Sequence, residues 1–190
     1  MKKTVVVAVG ALSLALLLTS CAGIPKPEGE NDTLVVGSFI LDYPDGFYNQ
    51  APRAITSGVR LDFMNTTQGT EFFLLTSSGG YFSFLTNGTD SYDLKGFSYY
   101  VEERTGHYTG SGGLTYKFSV SPHAVQYIGH LVYTFSKPRF QENTGLHTLT
   151  WNFERALART KKVEDVARYL GDAAKDSVWV SYEVKADFED

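Results

Sequence analysis

Val59-Arg60-Leu61-Asp62-Phe63 alternates apolar and charged residues, and Asn65-Thr66-Thr67-Gln68-Gly69 follows it with turn formers. A period of two puts Val59, Leu61 and Phe63 on one side of an extended chain, with Arg60 and Asp62 on the other. That is the signature of a half-buried strand. The same pattern continues in both directions. Downstream come Thr70–Thr76, carrying Phe72, Phe73, Leu74 and Leu75, then Ser77-Ser78-Gly79-Gly80, then Tyr81–Leu85 with Phe82 and Phe84 on one face. Asn87-Gly88 is the strongest hairpin signal of the chain. Ser91–Glu102 reads as a long strand, Thr105–Gly113 as a polar, Gly-rich hairpin tip, and Leu114–Val120 and Ala124–Ser136 as further strands. Upstream, Thr33–Leu41 is apolar on both faces and ends at the turn Asp42-Tyr43-Pro44-Asp45-Gly46. Seven short strands at near-regular spacing predict a mainly β fold, a seven-stranded antiparallel sandwich over residues 33–136.

The last third reads differently. Glu142–Trp151 suits another strand, and Asn152 suits the cap of a helix beginning at Phe153, with helix formers and no proline over Glu154–Lys175. Val163, Val166, Ala167, Leu170 and Ala174 recur at helical spacing and give that helix one apolar stripe. The stripe suits packing on the core, or alternatively docking in a partner's groove. Ser177–Phe188, with Trp179, closes the chain as a strand. Residues 137–190 are thus expected as a strand-helix-strand extension packed on the sandwich.

The order of motifs carries a resemblance. Val59–Phe63, then Phe72-Phe73-Leu74-Leu75-Thr76-Ser77-Ser78-Gly79-Gly80-Tyr81-Phe82-Ser83-Phe84, then Gly88-Thr89-Asp90-Ser91-Tyr92-Asp93-Leu94 resembles the transthyretin-like, carboxypeptidase-regulatory-like sandwiches over roughly residues 33–135. An Ig-like sandwich shares the same broad plan. The resemblance implies a structural or binding module and transfers no catalytic residue.

The amino-terminal end is read separately. Met1-Lys2-Lys3 precedes an apolar run from Val5 to Leu18, and Leu18-Thr19-Ser20 leads directly to Cys21, the only cysteine. A positive start, a short apolar segment and small residues before a cut site make a secretory signal peptide. The run spans 14 residues, whereas crossing a bilayer takes about 20. The motif resembles the lipobox of bacterial lipoproteins. Membership implies removal of residues 1–20, a diacylglycerol on the Cys21 sulfur and acylation of the new amino terminus. The alternative for Cys21 is a free thiol. Residues 21–32, rich in Pro, Gly and charge, are expected as a flexible lipidated tether. Ala22 stands where Asp would retain such a protein at the inner membrane, so the family implies the outer membrane of a diderm envelope.

The remaining residues restrict chemistry. Without residues 1–20 the chain holds 15 basic against 21 acidic side chains, a formal charge of −6. No basic cluster occurs, which argues against nucleic acid as partner. His107, His123, His130 and His147 form no pair at metal-ligand spacing, and zinc needs three or four converging ligands. Asp42, Asp45 and Asn49 depart from an EF-hand loop and read as turn formers. No Gly-x-Ser-x-Gly, phosphate-binding loop or dinucleotide fingerprint is present. Tyrosines and phenylalanines are abundant, at 12 and 13, and serve mainly as core. Tyr99 and Tyr100 are adjacent, so one of them faces outward. That residue, with His107 and Tyr108 in the Gly-rich tip, is the candidate contact surface. The expectation is a non-enzymatic envelope lipoprotein without cofactor, held to the membrane by acylated Cys21 and binding another envelope protein. The alternative is a ligand-binding accessory lipoprotein of a transport system, with a pocket lined by aromatics.

Overall fold

The computed structural model describes residues 24–42, 54–103, 106–142, 149–160, 163–173 and 177–186. Residues 1–20, expected as a signal peptide, and Cys21, Ala22, Asp45, Asn49 and His147 lie outside them. Among the described residues the chain is mainly β, with ten strands in two sheets and one α-helix.

One sheet is built around β1 (Asp32–Asp42). β5 (Tyr81–Asn87) and the short β2 (Ala54–Ile55) pair antiparallel along one of its edges. β8 (Val125–Glu142) runs parallel along the other. β8 carries β10 (Val184–Ala186) in parallel at its start and β9 (Leu149–Thr160) antiparallel beyond His130. The second sheet is antiparallel throughout, in the order β4 (Thr70–Leu75), β3 (Arg60–Asn65), β6 (Ser91–Glu103), β7 (Gly106–Ser119). Two facing sheets match the expectation. The parallel β1–β8 and β8–β10 pairings differ from the all-antiparallel arrangement expected; β7 ends beside Asp90, so β8 starts at the same end as β1.

The inner faces share an aromatic core. Phe39, Phe82, Phe84, Leu131 and Tyr133 of the first sheet meet Leu61, Phe63, Tyr92, Leu94 and Phe97 of the second. Phe63 stacks on Phe72 at 5.4 Å, and Phe97 meets Tyr133 edge-on at 4.7 Å. Such pairs add about 0.5–1.5 kcal/mol beyond the area they bury. The outer face of the first sheet is also covered. Leu34, Val36, Val125 and Tyr127 pack under Val166 and Leu170 of α1 (Val163–Ala173) and under Trp179. The described residues therefore form three layers: helix, mixed sheet, antiparallel sheet. The two-sided apolarity of β1 follows from its place in the middle layer. A bulge in β8 serves both interfaces. Gly129 sits at φ +105° where the register shifts. Tyr127 before it faces the helix layer, and Leu131 and Tyr133 after it face the antiparallel sheet. One extra residue reverses the phase of the strand.

Several local expectations are corrected. Asn152 caps no helix: residues 149–160 are β9, whose backbone pairs with β8, and helix begins only at Val163. Of the expected helix stripe, Val166 and Leu170 pack on the core, joined by Tyr169, while Ala167 is exposed; the Val163 side chain and Ala174 lie outside the described residues. Trp179 sits in a short 3-10 helix, Val178–Ser181, rather than a strand. Asn87-Gly88 makes no hairpin, since β5 and β6 belong to different sheets. Gly88 is needed for another reason: a Cβ there would lie 2.1 Å from Pro122 Cα. The Gly-rich stretch is strand, not tip. Gly110 and Gly112 lie under the rings of Tyr99 and Phe97, at 2.5 and 2.7 Å from where a Cβ would stand. Glycine there makes room for aromatic cover.

The stretch expected as a flexible tether is laid against the body from Ile24 onward. Ile24 packs on the helix-side core. Pro25 O accepts from Trp179 Nε1 at 2.5 Å, and Asp32 Oδ2 accepts from Glu28 N and Gly29 N at 2.6 and 2.7 Å. Gly88 N donates to Asn31 O at 3.0 Å. Composition alone missed this because the partners are contributed from residues 88 and 179.

Candidate functional site

The strand directions define two ends. Asp32 pairs with Asn87, and Leu34 with Val125, so residues 24–32 and the corner at Gly88 lie at one end. β6 starts at that end, at Ser91, and runs 13 residues to Glu103, about 40 Å at about 3.3 Å per step. β3 leaves off at Arg60, opposite Ser98, while β6 and β7 continue past it as a paired hairpin. β8 likewise continues past Thr134, the partner of Asp42, paired with β9. One hairpin from each sheet thus extends at the end remote from residues 24–32.

The sequence-predicted contact residues lie on the first of these hairpins. Tyr99 pairs with Gly110 and turns inward onto the core. Tyr100 is the outward one, 58% exposed, opposite Thr109. His107 and Tyr108 pair through their backbones with Glu102 and Val101. The structure therefore brings all four to one hairpin, and shows Tyr100 at its surface.

Further residues, missed in the sequence, join Tyr100 on the outer face of the antiparallel sheet. Leu75, Arg60 and Ser98 form one row across β4, β3 and β6. Phe73 and Asp62 form the next. Phe73 and Leu75 are 41% and 44% exposed. The Arg60 guanidinium lies 4.1 Å over the Phe73 ring and donates from Nε to Asp62 Oδ1 at 2.8 Å. The exposed ion pair contributes little stability. Its effect is to hold Arg60 flat across Phe73. Tyr, Arg and Phe are the residue types enriched at protein interfaces. The signal was present in β4, where Phe72, Phe73, Leu74 and Leu75 are all apolar. A strand with one solvated face cannot bury all four, and Phe72 and Leu74 are the ones that turn in.

A second feature is a cleft of about 530 Å³ where β7 passes over β8. Tyr92, Tyr116, Phe118, Gln126 and Lys117 are among its lining residues. Tyr116 Oη donates across it to Ile128 O at 2.7 Å. Gln126 is buried, and its Oε1 accepts from Ser121 N at 3.4 Å. Volume and lining fall within the range of small-molecule sites.

Beside the cleft is a buried polar cluster. Asp90 Oδ2 accepts from Asn65 Nδ2 at 2.8 Å, from Gln68 Nε2 at 3.0 Å and from Tyr92 Oη at 3.4 Å. Asn65 Oδ1 accepts from Thr67 N and Gln68 N, both at 3.0 Å, closing the β3–β4 turn. Tyr92 Oη also bonds Thr86 Oγ1. Burial raises the Tyr92 phenol above its ordinary pKa; the Thr86 bond opposes the rise and the Asp90 charge adds to it. This cluster lacks an activated nucleophile, and it ties the turn at Asn65 to the corner at Asp90.

His130 Nδ1 bonds Ser38 Oγ, and His123 Nδ1 lies 3.1 Å from Glu30 O. His130 thus joins the side chains of β8 and β1, and His123 holds the backbone at Glu30. Among the described residues no three His, Cys, Asp or Glu side chains converge on a metal position, and no helix is long and apolar enough to cross a membrane. Comparison of the chain with protein-family models, curated proteins and solved structures gives no match.

Proposed function

We propose that this chain is a non-enzymatic lipoprotein of the bacterial envelope, anchored through acylated Cys21, that binds another envelope protein through the remote face of its antiparallel sheet. The observation that carries the reading is the exposed group Tyr100, Arg60, Phe73 and Leu75. It lies on the outer face of that sheet, with Tyr100 on the hairpin that extends away from residues 24–32. An anchor at one end leaves such a surface free to reach a partner. The lipobox Leu18-Thr19-Ser20-Cys21 supports the anchor, and Ala22 supports the outer membrane. The seven-stranded, transthyretin-like reading of residues 33–135 draws its support from the two facing sheets and the order of motifs; the parallel β1–β8 pair departs from it.

The test is site-specific photocrosslinking from position 100 in bacteria that carry the lipidated chain. The reading expects a discrete crosslinked partner that disappears when Arg60→Glu and Phe73→Ser are added. Crosslinks that ignore those substitutions, or none at all, contradict it.

The cleft favours a second reading, a ligand-binding accessory lipoprotein. Its aromatic walls suit a small, largely apolar ligand. A ligand-induced rise in Tm that Phe118→Ala abolishes would select it.

A further inference from the structure

Two of the large apolar side chains exposed among the described residues, Val178 at 46% and Val180 at 62%, flank the buried Trp179 in the 3-10 helix. Trp179 is the residue whose indole N–H holds Pro25 O, and Ile24 packs into the same cluster. The first docked residue is therefore three residues from Cys21. Three trans peptide steps reach at most about 11 Å. Acyl chains on Cys21 would enter the bilayer within that distance of Ile24, which keeps the 3-10 helix beside the membrane surface.

We propose that the 3-10 helix Val178–Ser181 is a membrane-seating surface, with Val178 and Val180 set into the lipid interface beside the acyl anchor. This deepens the lipoprotein reading and rests on it. The occupant is a lipid surface because the short leash fixes what lies next to these valines. The docked segment carries Lys26 against Glu28 and Glu30, so it offers no positive patch for anionic headgroups. Apolar contact and acyl chains hold the end down, and seating is insensitive to salt and needs no anionic lipid. The β6–β7 hairpin then lies at the end of the sheet remote from the docked segment.

Acylation of Cys21 leaves the chain without a free thiol, so Val180→Cys places a single label. The lipidated full chain is labelled there with an environment-sensitive fluorophore and reconstituted into phosphatidylcholine vesicles. Thr109→Cys serves as the remote control. The proposal expects a blue shift and quenching by shallow brominated lipid at position 180, unchanged in about 0.5 M salt, where the Debye length is roughly 4 Å, and neither effect at position 109. A water-exposed label at 180 on chains that still float with the vesicles overturns the seating and leaves the anchor standing. Chains that lack acyl mass and do not float overturn both. A blue shift that grows with protein concentration in detergent, without lipid quenching, assigns the valines to contact between copies and overturns the seating too.

Discussion

Trp179 Nε1 donates to Pro25 O across 154 residues of chain, at 2.5 Å. The bond fastens the segment after Cys21 to the helix-side core. Trp179→Phe removes the donor and part of the ring. It is expected to lower stability by about 1–2 kcal/mol, combining a lost buried hydrogen bond with a small cavity. Amide exchange at residues 26–31 should quicken beyond the global change. Unaltered protection there would mean that the segment is held by other contacts.

Gly88→Ala and Gly69→Ala separate two uses of glycine. At Gly69 the φ of +69° strains any other residue in open space, at about 1 kcal/mol. At Gly88 the added Cβ would collide with Pro122 backbone, which must move. The expected loss is about 2–3 kcal/mol, in the range of overpacking. Urea denaturation of both variants gives the comparison, and equal losses would contradict it.

Tyr92 gives the fold an alkaline limit. Its folded pKa lies above the unfolded value of 10, chiefly through burial. The contribution is complete below pH 10 and is lost as pH rises from there through the folded pKa, because the unfolded chain releases its proton first. Tyr92→Phe should lose about 1–2 kcal/mol near pH 8, where Asp90 and Thr86 lose a partner. Its stability should also fall less steeply above pH 10. Parallel pH profiles for the two proteins would show that another group sets the limit.

Much of this architecture was legible in local pattern. Alternation placed β3 and the inward Phe82 and Phe84, and Asn65–Gly69 marked the β3–β4 turn that forms. What failed depended on distant chain. Asn87-Gly88 became an inter-sheet corner because β5 pairs with β1, more than forty residues earlier in sequence. The stretch after Asn152 has helix-forming residues, yet β8 offers an open edge that takes residues 149–160 as strand. Tertiary pairing overrides weak propensity in such cases. For the candidate surface, adjacency revealed that one of Tyr99 and Tyr100 faces out. Only register could add Arg60, Phe73 and Leu75 to it.

Tyr100→Ala and Phe73→Ser are expected to leave the fold intact. Tyr100 is 58% and Phe73 41% exposed and neither is in the core, so each change is expected to cost about 1 kcal/mol or less. Leu131→Ala, in the core, should cost about 2–5 kcal/mol. Thermal unfolding checks the contrast. A large loss for the surface pair would make that face structural and remove it as a binding site.

The anchor decides the account. The measurement is the intact mass of the protein from a bacterial membrane fraction, beside that of a Cys21→Ala variant. The account predicts loss of residues 1–20 and the added mass of acyl chains, both absent in the variant. A mature chain without acyl mass, or a variant of unchanged modification, contradicts it.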